Sequence, residues 1–295
     1  MAFQIFYIFI NVSVIAAPLI SGTLGQNVGW HYGFGCAGIV MVLGLVIYLS
    51  GRRYLAPEQA VAPADAPGAP HEPLSRNDWV CVIYLVILIP VLAVSLLTNQ
   101  QIFNAYLTWG DQQFDLTLLN NTSSWLITVD AAVSFAMLVG VAAFWKWWGT
   151  HHREPDEISK IIIGSVFTVA GGLCLFMAAL TQPHGGKISL FWPLLFELCN
   201  SIGFAHVLPV SLALFSKISP KQITATVIGL YYLSFFIANA VVGYVGGLYS
   251  SLPTTTFWLI HVASAAFGLV AFVIFKIAIG KRMQSTPQDQ AAALS

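Results

Sequence analysis

Hydrophobic positions in this chain fall into eight long runs with polar breaks between them. The runs cover residues 3–26, 31–50, 79–103, 123–148, 158–181, 188–216, 221–248 and 255–279. Each is close to the length an α-helix needs to cross the hydrocarbon core of a bilayer. None alternates strictly with period two, and all are too long for barrel strands. The pattern therefore predicts an all-α membrane protein with eight transmembrane helices. Most connectors are short (27–30, 154–157, 182–187, 218–220, 249–253), so successive helices are expected to be antiparallel neighbours. One connector differs. Residues 55–78 are rich in Ala and Pro and carry no apolar run, the composition of an extended, solvated linker. It separates two helices (1–54) from six (79–282), and a polar tail (283–295) is expected to be disordered.

Composition narrows this further. The chain is 57% hydrophobic and 8% charged, unlike any soluble globular domain of its length. A net charge of zero with no basic patch excludes nucleic acid as a partner; membrane lipid is the expected surrounding. The charges are unevenly placed. If the runs alternate in direction, Arg52, Arg53, Arg76, Lys146, Arg153, Lys160, Lys217, Lys221, Lys276, Lys281 and Arg282 share one side, and only Lys187 lies on the other. That bias orients the chain with both termini cytoplasmic. The first run begins at once, with no basic flank or cleavage motif of a signal peptide. Cys36, Cys81, Cys174 and Cys199 lie in apolar runs without C-x-x-C spacing and read as small buried hydrophobes.

Polar residues inside the runs are the candidate chemistry. Glu197 lies well inside the sixth run, where an ionised side chain costs about 2.5–3.5 kcal/mol. It must face a partner, a cavity or a pathway, or stay neutral, so helix glue and transport pathway are both open. Asp130 lies about two turns into the fourth run, and its alternatives are a hydroxyl partner or a site. Gln100, Asn104, Thr108 and Asp111 recur at helical spacing and predict one polar face of the third helix, either a cavity wall or an interhelical seam. His206 and His261 read as hydrogen-bonded packing residues, and the adjacent His151 and His152 as a solvated connector. Gly171, Gly172, Gly243, Gly246 and Gly247 are expected to permit close helix contact. No nucleotide loop, Ser/His/Asp set or metal cluster occurs, so neither an enzyme nor a metal or organic cofactor is expected.

The first two runs carry a sharper signal. FYIFIN (6–11), Ala-Pro (17–18), GWHYGF (29–34), AGIVM (37–41) and GRRYL (51–55) closely resemble the proton-dependent oligopeptide transporter family of the major facilitator superfamily. LPVSLALFSKISP (208–220), IGLYYLS (228–234) and SSWLITVD (123–130) resemble later motifs of the same family. The resemblance is weakest over 110–121 and in the fifth and eighth runs. It implies a partial major facilitator fold: the last two helices of an N-terminal bundle, then a whole six-helix C-terminal bundle. The first four spans, with the E-x-x-E-R motif and a lysine of the fourth, have no counterpart. A truncated gene or gene model is the expected explanation, with the missing helices or a second chain needed to complete the fold.

The resemblance implies part of a proton-coupled secondary transporter for di- and tripeptides in a bacterial inner membrane. It would work by alternating access, with the proton as coupling ion and no cofactor. A carrier of another small solute, such as an amino acid or organic anion, and a degenerate non-transporting protein are the alternatives. Residue by residue, Asn11 matches an asparagine that contacts the peptide backbone. Gln100 and Gln101 replace an E-Q pair whose glutamate is implicated in proton coupling. Asp130 stands where an asparagine contacts the peptide amino end, and Tyr231 where the family has tryptophan. The family's later G-E falls on Gly203–Phe204. Glu197 lies seven residues earlier, about 10 Å away by helix rise but on nearly the same face. The expected pocket is Asn11, Gln100, Asn104, Asp130, Glu197 and Tyr231, with Asp130 and Glu197 as proton carriers.

Overall fold

Why these apolar runs become helices is a matter of solvent. In hydrocarbon each backbone N–H and C=O must be bonded within the segment. The computed structural model of the chain describes residues 12–51, 74–119, 121–182 and 186–284. Asn11 and nearly all of the 55–78 linker lie outside them. The described part of the first run, α1 (12–27), is helical, with a wide π turn at Pro18–Gly22, where proline offers no N–H to the ladder. There follow α2 (Trp30–Gly51), α3 (Arg76–Ser95), the short α4 (Leu97–Gln100), α5 (Ala105–Gln113), α6 (Trp125–His151), α7 (Glu157–Leu180), α8 (Phe191–Ile218), α9 (Thr224–Gly247) and α10 (Thr254–Gln284). Among the described residues seven helices are long and apolar enough to span a membrane. The chain is an all-α, multi-pass membrane protein.

Local chemistry sets several boundaries. α3 begins at Arg76, inside the stretch expected to be linker, because Ser75 and Asp78 form a capping box. Asp78 Oδ2 accepts from the Ser75 N–H at 2.8 Å, and the Asp78 N–H donates to Ser75 Oγ at 3.2 Å. Such a cap contributes about 0.5–2 kcal/mol. At the other end α10 runs to Gln284 and takes in the first two residues of the expected tail.

The third run is not the continuous helix its spacing predicted. After α4 the chain makes a 3₁₀ turn at Gln101–Phe103, and Asn104 leaves helical space altogether (φ −132°, ψ −107°) before α5 starts. The cause is tertiary. The Asn104 amide donates to the Val242 carbonyl of α9 at 3.4 Å and lies against Gly246, which has no side chain to exclude it. Gln100 therefore precedes the break, Asn104 makes it, Thr108 and Asp111 follow it, and the four do not share one helix face.

Helices α3 and α7–α10 pack in the order α9–α3–α10–α7–α8, α9 meets α8 again to close the set, and α6 packs against α8 from outside it. The α7–α8 contact is the most extensive. It is set by Gly164 and Gly203, where a Cβ would fall 2.6 Å from His206 Cβ and from Thr168 Oγ1 respectively. Small residues let helix backbones approach where lipid offers no hydrophobic drive. Gly246 and the Gly171–Gly172 pair meet neighbours as expected. Gly243 and Gly247 do not: their Cβ positions face open space. Only Cys174 of the four cysteines is buried; the other three are half-buried.

Polar ties hold the two ends. At the basic end Lys217 pairs with Glu157 at 2.8 Å and Lys276 with Asp156 at 3.3 Å, linking the start of α7 to the ends of α8 and α10, while Lys160 pairs with Glu154 of the preceding connector. At the far end the Ile188 N–H donates to the Gln113 carbonyl (2.7 Å) and the Asp115 N–H to the Ile188 carbonyl (2.9 Å). Above them Lys187 Nζ reaches the Gln112 carbonyl at 2.7 Å.

The α1–α2 pair stands apart. Gly29, at φ +145°, makes its turn, and Gly33 packs on the Ser21 carbonyl. The pair meets the bundle at the far end of α6. There Gln26 Nε2 donates to Ser123 Oγ at 2.6 Å, the Ser124 N–H to Gln26 Oε1 at 3.3 Å, and Trp125 Nε1 to Thr23 Oγ1 at 3.0 Å. Apart from Gly33, α2 is unburied along its length.

Candidate functional site

A cavity of about 210 Å³ opens where α1, the α4 turn, α6 and α8 converge. Val14 comes from α1; Asn99, Gln100 and Phe103 from the α4 turn; Ile127, Asp130, Ala131, Ser134, Phe135 and Leu138 from α6; and Phe204 from α8. Irregular backbone at membrane depth is tolerated where it lines such a cavity, and the end of the third run at Asn104 lies beside it. Asp130 is the single ionisable side chain in this lining. The volume lies below the roughly 300–1,000 Å³ of drug-sized pockets, so it suits one end of a small solute.

Asp130 is held from both sides. Ser134, one turn on, approaches its Oδ1 at 3.5 Å and lies 3.0 Å from Ser201 Oγ of α8. Behind Asp130, and fully buried, is Glu197. Its neighbours are the Asp130 carboxyl and the Tyr106 hydroxyl of α5. Neither closes to regular hydrogen-bond geometry, so both Glu197 oxygens and the Tyr106 hydroxyl are unpaired. Parallel helices α6 and α8 thus meet in two rungs, Asp130 with Glu197 and Ser134 with Ser201, each four residues on from the last. Two neighbouring carboxyls removed from water strongly disfavour carrying two charges at once.

The six expected pocket residues therefore separate. Gln100 and Asp130 line the cavity. Glu197 touches Asp130 but lies behind the wall, where α5 and α6 cover that level of α8. Phe204, at the position the resemblance gives to the family's glutamate, lines the cavity instead. Asn104 holds the helix break against α9. Tyr231 is in the packed core near the basic end, its hydroxyl donating to the Leu208 carbonyl at 3.2 Å and lying 3.0 Å from Ser211 Oγ. It is no part of the cavity wall, since its edge turns into Phe215 and Phe235. Asn11 lies outside the described residues. His206 and His261 each bond the carbonyl one turn earlier in their own helix.

Sequence reasoning missed Ser134, Ser201 and Tyr106. The two serines carry a legible signal, for each stands four residues after an intramembrane acid, in D-x-x-x-S and E-x-x-x-S. Tyr106 had none, because its place depends on the helix break.

The Major Facilitator Superfamily model matches residues 1–241. Among curated relatives, the chain is 24% identical to the uncharacterized transporter YclF of Bacillus subtilis, over 92% of the chain and 64% of that protein. It is 23% identical to the peptide transporter YePEPT of Yersinia enterocolitica, over 99% and 70%. It is 21% identical to a di-/tripeptide transporter of Lactococcus lactis, over 93% and 67%. The chain thus spans about two thirds of the length of these relatives. Its fold is similar to a solved peptide transporter POT in complex with sulfate (TM-score 0.79, 20% identity, 95% of this chain and 67% of that one). It is also similar to a POT family transporter in complex with 5-aminolevulinic acid (TM-score 0.73, 18% identity, 96% and 69%). The chain belongs to the Major Facilitator Superfamily and is a relative of its oligopeptide transporters.

Proposed function

We propose that the chain is part of a proton-coupled secondary transporter of di- and tripeptides that works by alternating access. The observation that carries this reading is the cavity with a lone carboxyl, Asp130, at its surface and a second, Glu197, behind it. An Asp130 carboxylate suits the ammonium of a peptide. The amides of Asn99 and Gln100 suit its backbone, and Phe103, Phe135 and Phe204 its side chains. Protonation within the pair would neutralise the site and permit closure. The names of the peptide-transporting relatives favour the same substrate class. The chain is read as a carrier rather than an enzyme, with the proton in place of a cofactor. Its ion-paired basic end faces the cytoplasm of a bacterial cell, as do both termini, and further helices or a second chain complete the fold.

The test is uptake of labelled dipeptide into proteoliposomes under an inward proton gradient. It is run with the chain alone and with the chain fused behind the first third of a longer relative. Asp130→Asn and Glu197→Gln should each weaken the dependence on pH; unchanged coupling in both would sink the reading. A second reading, a carrier of single amino acids or other small amines, is favoured by the small cavity and its one ionisable lining group. Competition separates the two: dipeptides, and not free amino acids, should block uptake if peptides are the substrate.

A further inference from the structure

The two acids are not equivalent in their surroundings. Asp130 is at the cavity surface, and Glu197 is wholly enclosed and does not line that cavity. Around Glu197, α6 contributes Asp130 and α5 contributes Tyr106. The nearest thiol of α7, Cys174, meets Cys199 instead. No Lys, Arg or His among the described residues neighbours the pair. A proton bound at Glu197 therefore has one polar neighbour that reaches the cavity. The Ser134–Ser201 rung, one turn away, fixes α6 to α8 at this level and keeps the two carboxyls facing.

We propose that Asp130 and Glu197 act in series, Asp130 as the port that exchanges protons with the cavity and Glu197 as the sealed store behind it. This rests on the proton-coupled reading above. In the transfer step the O–H bond of a protonated Asp130 breaks and the proton passes to a carboxylate oxygen of Glu197. The pair keeps a single negative charge throughout. That charge moves from the enclosed oxygen pair to the cavity surface, where a substrate ammonium can meet it. Loading the store thus readies the site, and return of the proton to Asp130 removes the anion that holds the ammonium. Tyr106 is a positioning residue here: its hydroxyl neighbours Glu197, has no other hydrogen-bond partner, and can donate to the Glu197 carboxylate.

The test needs no transport. Infrared spectra of the purified chain are recorded during exchange into heavy water, and the Glu197 carboxyl band is assigned by its loss in Glu197→Gln. With the port in place this band shifts quickly. In Asp130→Asn it should shift about tenfold more slowly or worse, because exchange must then wait for local opening. An unchanged rate overturns the proposal. Should Asp130→Asn fail to fold, the wild-type chain serves. A water-soluble carbodiimide with an amine nucleophile should modify Asp130 and spare Glu197 in peptide maps, and equal modification overturns the series. Ordered exchange without dipeptide uptake would support the relay and count against the peptide reading. Peptide uptake with an unaltered Glu197 exchange rate in Asp130→Asn would remove the relay alone.

Discussion

Gly203→Ala places one methyl group in the close crossing of α7 and α8. Its Cβ would sit 2.6 Å from Thr168 Oγ1, 3.0 Å from the Gly164 carbonyl and 3.1 Å from the Thr168 amide nitrogen. Ordinary contact begins near 3.4 Å, so the worst overlap is about 0.8 Å. A rotamer change at Thr168 can relieve that contact but not the other two, which overlap by about 0.3–0.4 Å and are backbone atoms of the α7 ladder. The helices must separate. Overpacking of this kind costs about 1–3 kcal/mol. The substitution also gains up to about 1 kcal/mol of helix propensity, which leaves a net loss of about 1 kcal/mol. Gly243→Ala on α9 is the matched control, since nothing lies within 4 Å of its Cβ. It has the propensity gain without the overlap, so the two variants should move stability in opposite directions, about 2 kcal/mol apart. Unfolding in mixed micelles, followed by tryptophan fluorescence, measures both. Gly203→Ala as stable as Gly243→Ala would refute the argument that this contact sets the α7–α8 distance.

Three further outcomes are expected. Tyr231→Phe removes a hydroxyl bonded to Leu208 and Ser211 and should lower stability by about 1 kcal/mol while leaving the KM for dipeptide unchanged; a several-fold KM change would return Tyr231 to the site. Gln26→Leu removes two hydrogen bonds between α1 and the residues that lead into α6, worth about 1 kcal/mol each. The distance distribution between spin labels on the far ends of α1 and α6 should broaden, and an unchanged distribution means that these bonds do not hold the two helices together. Partial burial pushes the Asp156 carboxyl up, but the Ser159 hydroxyl and the Lys276 ammonium outweigh it and hold the carboxyl below its usual 3.8. A carboxyl depressed in the folded state stabilises above its unfolded value and loses that contribution as pH falls through the folded one. Acid titration of the unfolding midpoint should therefore show a fall below the ordinary carboxylate range that is shallower in Asp156→Asn; identical curves would remove Asp156 as its source.

Helix spans were legible because length and hydropathy decide them: 123–148 became Trp125–His151, and 158–181 became Glu157–Leu180. Local caps were legible too, although Ser75 and Asp78 went unread inside a stretch whose Ala/Pro content suggested linker. Asn104 shows the limit. Its spacing from Gln100 is helical, and the break at that residue is imposed by Val242 and Gly246, far along the chain. The same holds for the site. Both intramembrane acids stood out in the sequence, yet only the parallel register of α6 and α8 shows that they face each other. Tyr231 was assigned by likeness to a family tryptophan, and a substitution that adds a hydroxyl can turn a wall residue into a core hydrogen bond with Ser211.

Helix α2 is apolar on every side, and almost none of it is covered. In water that surface would drive collapse onto the bundle. In a bilayer the acyl chains solvate it as well as another helix would, so no burial energy fixes its tilt. Among the described residues its direction is set at one end only, by the Gly29 turn and the seat of Gly33 on the Ser21 carbonyl. It behaves as a strut on a single pivot. Side-chain changes along its length should leave its angle alone, and a bulkier residue at Gly33 should swing the whole helix through the lipid.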